Sequence, residues 1–403
     1  MRGKNMEGFA TREKVLSDLF YVWTPVKTTE LVPLEESIGR ITSCAMYSEN
    51  TLPVHRASGC DGIAVKSELF KEGMPDYTIW QEGREFVRAD TGDDFEDQYD
   101  AVIMIEEVDI NEDNRIVFIS EDVPVCSGMN ISKKGSSIMA GDHIMDADLP
   151  IRPSDLAALA MGGCRMVSVT KKPRIAFIPT GSELIPHQMK PSRGQNTDTN
   201  SLLIKEALIE LGAEAIIFPI IPDDKDLLEQ ALEDAIKVAD IVVINGGTAK
   251  GKEDYNTLLI ESKGKLLNHY VAAAPGRPLA LGVINNKPVI NLPGPTIAAF
   301  FGQDWCLSAI VCRALNIPLP KKERIVCTLT EDITTTPHMA ILCRLEVKKS
   351  EKGYLAEPRS FFTGNMSSCL TSNGMYVSPI GESTKSCGEK IEVELLRNSG
   401  YIY

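Results

Sequence analysis

RIAFIPTGSEL, residues 174–184, is the stretch that decides the fold. Behind Arg174 the chain runs apolar without a break to Pro179, where a half-buried strand would alternate with polar residues. Such a run fits a strand covered on both faces, as in a parallel α/β sheet. The turn that ends it carries Thr180, Gly181 and Glu183, which a core does not require.

Reading outward, the same unit repeats. Ile204, Ala207, Leu208 and Leu211 follow at helical spacing, and Gly212 stops that helix. AIIFP (215–219) reads as a second strand. Asp223 or Asp224 can cap a helix with Leu228, Ala231, Leu232, Ala235 and Ile236 on one face. IVVI (241–244) and PVINL (288–292) read as further strands, and a long helix follows Pro295. Strands and helices alternating in this way predict a right-handed, mostly parallel α/β sheet between about Lys172 and Leu315. The flanks differ. From Val32 to Val169, short alternating runs such as YDAVIMIEEV predict β-rich modules. After Pro320, RIVCTLT, AILCRLEV, GYLAEP and KIEVELL predict a small C-terminal barrel or sandwich.

Composition narrows the function classes. The 403 residues imply two to four domains, and 43% hydrophobic with 24% charged residues is a soluble, globular balance. A net charge of −14 argues against nucleic acid or an anionic membrane as the main partner. The ten cysteines form no CxxC pair and read as reduced, mostly buried thiols. No metal-binding histidine cluster is present, and Ile297–Leu315, interrupted by Gln303 and Asp304, reads as a buried helix and not a membrane span. The N-terminus lacks a signal-peptide run, so a cytoplasmic protein is expected.

In an open parallel sheet, ligands bind outside the carboxyl ends of the strands. The segments expected there are TGSEL (180–184), IIPDD (220–224), INGGTAKGKEDYN (244–256), APGRP (274–278) and LPGPT (292–296). Gly246, Gly247 and Gly251 let backbone N–H groups approach oxygens closely, forming an anion nest. Lys250, Lys252 and Arg277 supply positive charge on the rim, and Arg277 can bind phosphate in bidentate fashion. Glu183, Asp223 and Asp254 are carboxylates of the kind that hold Mg²⁺ beside a phosphate, although an Asp before a helix, as Asp254 is at the start of DYNTLLI, is more often its cap than a metal ligand. From these loops alone, an anionic-ligand site is expected and its chemistry stays open.

Taken in order, the segments resemble one family, the molybdopterin molybdenumtransferases of the MoeA and gephyrin E-domain type. The resemblance is carried by LEESIGRI (34–41), PVHRASGCDGIAV (53–65), DTG (90–92) with DAVIMIEE (100–107), and then TGSEL, NTDTNSLLI, PDD, GG-x-x-x-G-x-x-D, PGRP and LPGP. FTGNMSSCLTSNGMYVSP with GEKIEVELL completes it. It implies a multidomain α/β plus β protein with a central three-layer α/β molybdopterin-binding domain (8–28 and 172–320). It also implies an elongated dimerisation domain (29–47 and 132–171), an inserted β-rich domain (48–131) and a C-terminal β-barrel-like domain (321–403).

The activity implied is insertion of molybdate into adenylylated molybdopterin with release of AMP, in a homodimer and with a divalent metal such as Mg²⁺. Carried over to this sequence, Asp61, Glu183 and Asp254 are implied as catalytic, and Glu183, Asp223 and Asp254 as metal ligands. Thr91, Thr180, Gly181, Asp223, Gly246, Gly247, Thr248, Lys250, Gly251, Pro275, Gly276, Arg277, Pro293 and Gly294 are implied as substrate contacts. Molybdoenzymes or their chaperones would be the onward partners.

The sequence also departs from the family pattern. Thr248 and Ala249 stand where the family has Val and Ser, and Leu292-Pro293-Gly294-Pro295 lacks its Asn. Arg277 stands where the family's Lys-Pro-Gly-Lys-Pro has its second Lys. In ISKKGSS, Ser132, Ser136 and Ser137 replace an Arg and an acidic pair. These changes keep two alternatives open: a paralogue that binds the pterin and acts as carrier or assembly protein, and a molybdopterin adenylyltransferase.

Overall fold

A computed structural model of the chain describes residues 9–246, 255–359 and 366–403. The chain divides into two compact units, one of residues 29–170 and one formed by the N-terminal segment together with residues 171–403.

In the second unit the apolar runs become one six-stranded sheet. Its strands are β1 (Arg174–Pro179), β2 (Glu214–Ile217), β3 (Ile241–Asn245), β4 (Lys265–His269), β5 (Ala280–Ile284) and β6 (Lys287–Leu292). They lie in the order β2-β1-β3-β6-β5-β4. The first four are parallel, and β5 and β4 continue the sheet antiparallel. The sheet is therefore mostly parallel, as the sequence predicts, with an antiparallel edge that the periodicity does not announce. Chain direction across the sheet reverses between β1 and β3, which opens a crevice at their carboxyl ends.

The helices are α1 (Arg12–Val22), α2 (Asn200–Glu210), α3 (Lys225–Val238), α4 (Tyr255–Lys263), α5 (Thr296–Gly302) and α6 (Ser308–Leu315). The five residues of α3 predicted for the core, from Leu228 to Ile236, are its buried ones. They pack with Leu259 and Ile260 of α4 on Ala176, Ile178, Val242, Ile244 and Val289. Alternate residues Ile175, Phe177, Val243 and Ile290 are equally buried on the other sheet face. Strands covered twice explain the unbroken apolar spelling of RIAFIP. The long helix after Pro295 forms but carries a π-turn at Gln303–Leu307 between α5 and α6. Asp224 caps α3 by accepting from the Leu227 amide at 3.0 Å, which leaves Asp223 out of the helix.

Beyond Pro320, β7 (Arg324–Leu329), β8 (Ala340–Ser350), β9 (Gly353–Arg359), β10 (Gly374–Val377) and β11 (Lys390–Leu395) close into a five-stranded barrel, because β8 pairs with both β9 and β10. The predicted C-terminal barrel is thus realised. A short helix, α7 (Met366–Thr371), packs against it.

The other unit is β-rich, as its alternating spelling predicts. Thr29–Pro33 pairs antiparallel with Met166–Thr170 over a core of Val32, Leu34, Ile151, Leu159, Val167 and Val169. A second core, with Ile63, Phe86, Ile103, Ile116 and Ile119, is built on the three-stranded sheet of Gly62–Val65, Phe86–Ala89 and Ala101–Met104. All ten cysteines are free, but only Cys164, Cys306, Cys312, Cys327 and Cys369 are buried. Cys44, Cys126 and Cys387 are exposed, which corrects the expectation of mostly buried thiols. Among the described residues no helix is long and apolar enough to cross a membrane, and Ile297–Leu315 is core helix as predicted.

Candidate functional site

The carboxyl ends of β1, β3 and β6 meet at one edge, and hydrogen bonds hold their loops together. Thr180, at the end of β1, donates through its amide (2.9 Å) and its hydroxyl (3.1 Å) to the carbonyl of Asn245. The Gly181 amide donates to Ile221 O at 2.9 Å, which brings in the loop after β2. Gly246 donates to Leu292 O at 3.0 Å, and its Cα lies 3.7 Å from where a side chain on Gly294 would begin. Gly246 has φ of +120°, and a Cβ there would lie 2.4 Å from Thr180 O. Only glycine permits that approach.

The loop at 274–278 reaches the same edge by a different route. It precedes β5, which runs antiparallel to β6, and Gly276 faces the Ala298 carbonyl of α5. Gly276 has φ of +108°, and the turn closes through Val271 N to Arg277 O (2.9 Å) and Leu279 N to Gly276 O (3.0 Å). Arg277 is exposed. Pro275, Gly276, Pro293 and Gly294 are therefore placed where the sequence puts them.

Two predicted carboxylates flank Gly181 and Ser182. Asp223 accepts from the Ser182 amide at 3.3 Å, while the Asp223 amide donates to Ser182 Oγ at 2.9 Å. The carboxylate of Glu183 folds back over Gly181, 2.8 Å from where a Cβ would stand. Both residues are exposed at the rim. No group of three or more His, Cys, Asp or Glu among the described residues is placed to hold a metal. A pair of carboxylates is nevertheless a donor set that suits Mg²⁺, which takes one or two protein oxygens and keeps its waters. Gly247, Thr248, Lys250, Gly251 and Asp254 lie outside the described residues, as does Lys252.

Asp61 and Thr91, in the residue 29–170 unit, come together. One carboxylate oxygen of Asp61 accepts from both the amide and the hydroxyl of Thr91 at 2.7 Å. The two bonds from Thr91 hold the Asp61 carboxyl below its ordinary range. In this chain Asp61 fixes the turn that carries Gly92.

Two features of the site were not read from the sequence. The first is a set of buried asparagines. Asn200 of α2 donates to Asn245 Oδ1 at 2.8 Å on one sheet face. Asn256 of α4 donates to Asn291 Oδ1 (2.9 Å) and Gly246 O (3.0 Å) on the other. The second is a cavity of about 1920 Å³ that begins at Thr199 and Thr296 and runs between α2, α5 and the barrel. Its walls include Phe300, Lys322, Arg344 and Tyr376. Arg344 stacks over Phe300 at 4.6 Å and donates to the carbonyls of Leu370 (2.9 Å) and Ser372 (2.6 Å) at the end of α7. Burial pushes its pKa down to about 10. An asparagine before a glycine pair, as in INGG, was the signal available for the first feature. The cavity needs the barrel beside the sheet and has no local signal.

This geometry agrees with the comparisons. The family described as MoeA N-terminal region (domain I and II) matches residues 10–163. The family described as probable molybdopterin binding domain matches residues 176–310. The chain belongs to the MoeA family. Its relatives include the molybdopterin molybdenumtransferase of Haemophilus influenzae, 27% identical over 87% of this chain and 84% of the relative. The enzyme of the same name from Bacillus subtilis is 26% identical over 92% of this chain and 90% of its own length. A solved molybdopterin biosynthesis MoeA protein of Pyrococcus horikoshii superposes with a TM-score of 0.78 and 27% identity, covering 97% of this chain and all (100%) of that one. The MoeA-family fold thus extends through the barrel, which neither family match reaches.

Proposed function

We propose that this MoeA-family protein inserts molybdate into adenylylated molybdopterin and releases AMP. The observation that carries the reading is the convergence of Thr180, Gly181, Gly246, Pro293 and Gly294 on one sheet edge, with the Glu183 carboxylate against Gly181 and the Asp223 carboxylate against Ser182. Cleaving a phosphoanhydride requires neutralising charge that builds on the released phosphate. Glycines without side chains let the phosphates come close to backbone N–H groups, and Arg277 adds a cation from the rim.

Glu183 and Asp223 would hold Mg²⁺, which supplies charge neutralisation when bound. We assign Asp254, Gly247, Thr248, Lys250 and Gly251 to the same site. Asp61 is assigned as catalytic and Thr91 as a substrate contact, and the protein as a homodimer. The central α/β domain (8–28 and 172–320) is the pterin-binding part of the four-domain division proposed above.

A second reading is favoured by one observation. Ser132, Ser136 and Ser137 stand where the family carries an Arg and two acids, and the backbone there stays ordered, with Ser137 N bonded to Leu52 O at 3.0 Å. A carrier that binds the pterin without turnover would look the same. Purified full chain is therefore incubated with adenylylated molybdopterin, molybdate and Mg²⁺, and AMP is followed. Molybdate-dependent release supports insertion. Tight pterin binding without release identifies a carrier, and ATP-dependent adenylylation of free molybdopterin identifies an adenylyltransferase.

A further inference from the structure

The loop Leu292-Pro293-Gly294-Pro295 cannot hold itself, because its two prolines have no N–H to donate. Its three successive carbonyls each accept from a carboxamide elsewhere, Leu292 O also from the Gly246 amide. Asn245 Nδ2 donates to Leu292 O (3.3 Å) and Pro293 O (2.9 Å), and Asn200 Nδ2 donates to Gly294 O at 2.7 Å. Asn200 also donates to Asn245 Oδ1, so the two side chains act as one piece. On its other side Asn245 receives both donors of Thr180 on its backbone carbonyl. Both side chains are almost wholly buried, with 2% of Asn245 and 7% of Asn200 exposed.

We propose that Asn245, joined to Asn200, is a positioning residue that sets the spacing between the Thr180 loop and the proline loop. The proposal rests on reading this edge as the substrate site. A buried carboxamide is costly unless its hydrogen-bonding groups are used. Asn245 uses its N–H donors on the Leu292 and Pro293 carbonyls, and its side-chain oxygen accepts from Asn200 of α2. It does not face the ligand; it acts through Thr180, Pro293 and Gly294. Alanine would remove the side-chain donor shared by the Leu292 and Pro293 carbonyls and take away the acceptor of one Asn200 N–H. Aspartate would set a carboxylate against the carbonyls of Leu292 and Pro293.

The test compares Asn245→Ala and Asn245→Asp with Val242→Ala, a core change on the same strand that faces away from the clamp. For both Asn245 variants kcat for AMP release is expected to fall about 10–100-fold, the scale of a small misplacement of reacting groups. AMP affinity should change less than about threefold, because the contacts survive while their spacing shifts. Amide hydrogen exchange in 180–184 and 294–299 should quicken about tenfold, while α3 is unchanged. Val242→Ala should lower the melting temperature and leave exchange at the two loops as in the wild type. The proposal is overturned if the two loops exchange at the wild-type rate in the Asn245 variants. It is equally overturned if Val242→Ala speeds them as much. A wild type that releases no AMP refutes the proposed function alone, since loop exchange still decides the clamp.

Discussion

Gly246→Ala should be among the most damaging single-methyl changes at the site, and the structure gives its size. At φ of +120° a side chain is strained whatever the space around it, at a cost of about 1–3 kcal/mol. The added carbon would also lie 2.4 Å from Thr180 O and 2.5 Å from Thr180 Oγ1. Thr180 cannot retreat, because its amide and hydroxyl are both bonded to Asn245 O and Gly246 is itself bonded to Leu292. Overpacking of this kind costs about 1–3 kcal/mol more. The sum is a loss of about 2–6 kcal/mol.

Gly294→Ala is the matched control. Gly294 lies outside the left-handed region, and its nearest neighbour would be an ordinary contact at 3.7 Å. That substitution should stay within about 1 kcal/mol of the wild type. Urea unfolding followed by far-ultraviolet circular dichroism measures both. A Gly246→Ala loss below about 1 kcal/mol, or an equal loss at Gly294, refutes the account of why glycine ends β3.

Asp223 and Asp224 should separate cleanly by role. Asp224→Ala removes the α3 cap and costs about 1 kcal/mol in unfolding while AMP release per folded molecule stays unchanged. Asp223→Asn leaves stability within about 0.5 kcal/mol, and AMP release falls at least about tenfold with a higher Mg²⁺ requirement. The reverse pattern would mean the rim assignment is wrong. Asp61 supplies a pH signature. Its folded pKa is depressed below 3.8, so its support of the Thr91 turn is present above that value. The support is lost as pH falls through the lowered pKa. Thermal midpoints of the wild type and Asp61→Ala should differ near neutrality and converge in acid below the ordinary carboxylate range; a gap that persists there contradicts this.

The sheet was legible because double coverage leaves a mark in sequence, in RIAFIP and IVVI as unbroken apolar runs and in α3 as an apolar stripe. The antiparallel edge was not, since β4 and β5 spell no differently from parallel strands. The edge at the carboxyl ends of β1, β2, β3 and β6 followed from strand direction, whereas the 274–278 loop reaches it only because β5 runs antiparallel; the residues that bind these loops together did not follow. Asn200, Asn245 and Pro293 are dozens of residues apart in sequence, and nothing local says that a carboxamide will point at a carbonyl across that gap. The cap of α3 was left between Asp223 and Asp224, and only the geometry assigns it to Asp224. Asp61, implied as catalytic by resemblance, is engaged in holding Thr91. The resemblance identifies the position and the structure gives its local duty.

The central claim is that the carboxyl edge of the sheet holds the phosphate end of the ligand. Hydrogen exchange of the full chain with and without AMP and Mg²⁺ tests it directly. The account predicts protection in 180–184, 220–224 and 293–299, with the barrel strands and the residue 29–170 unit unchanged. Protection confined to the barrel, or none at saturating AMP, would contradict it.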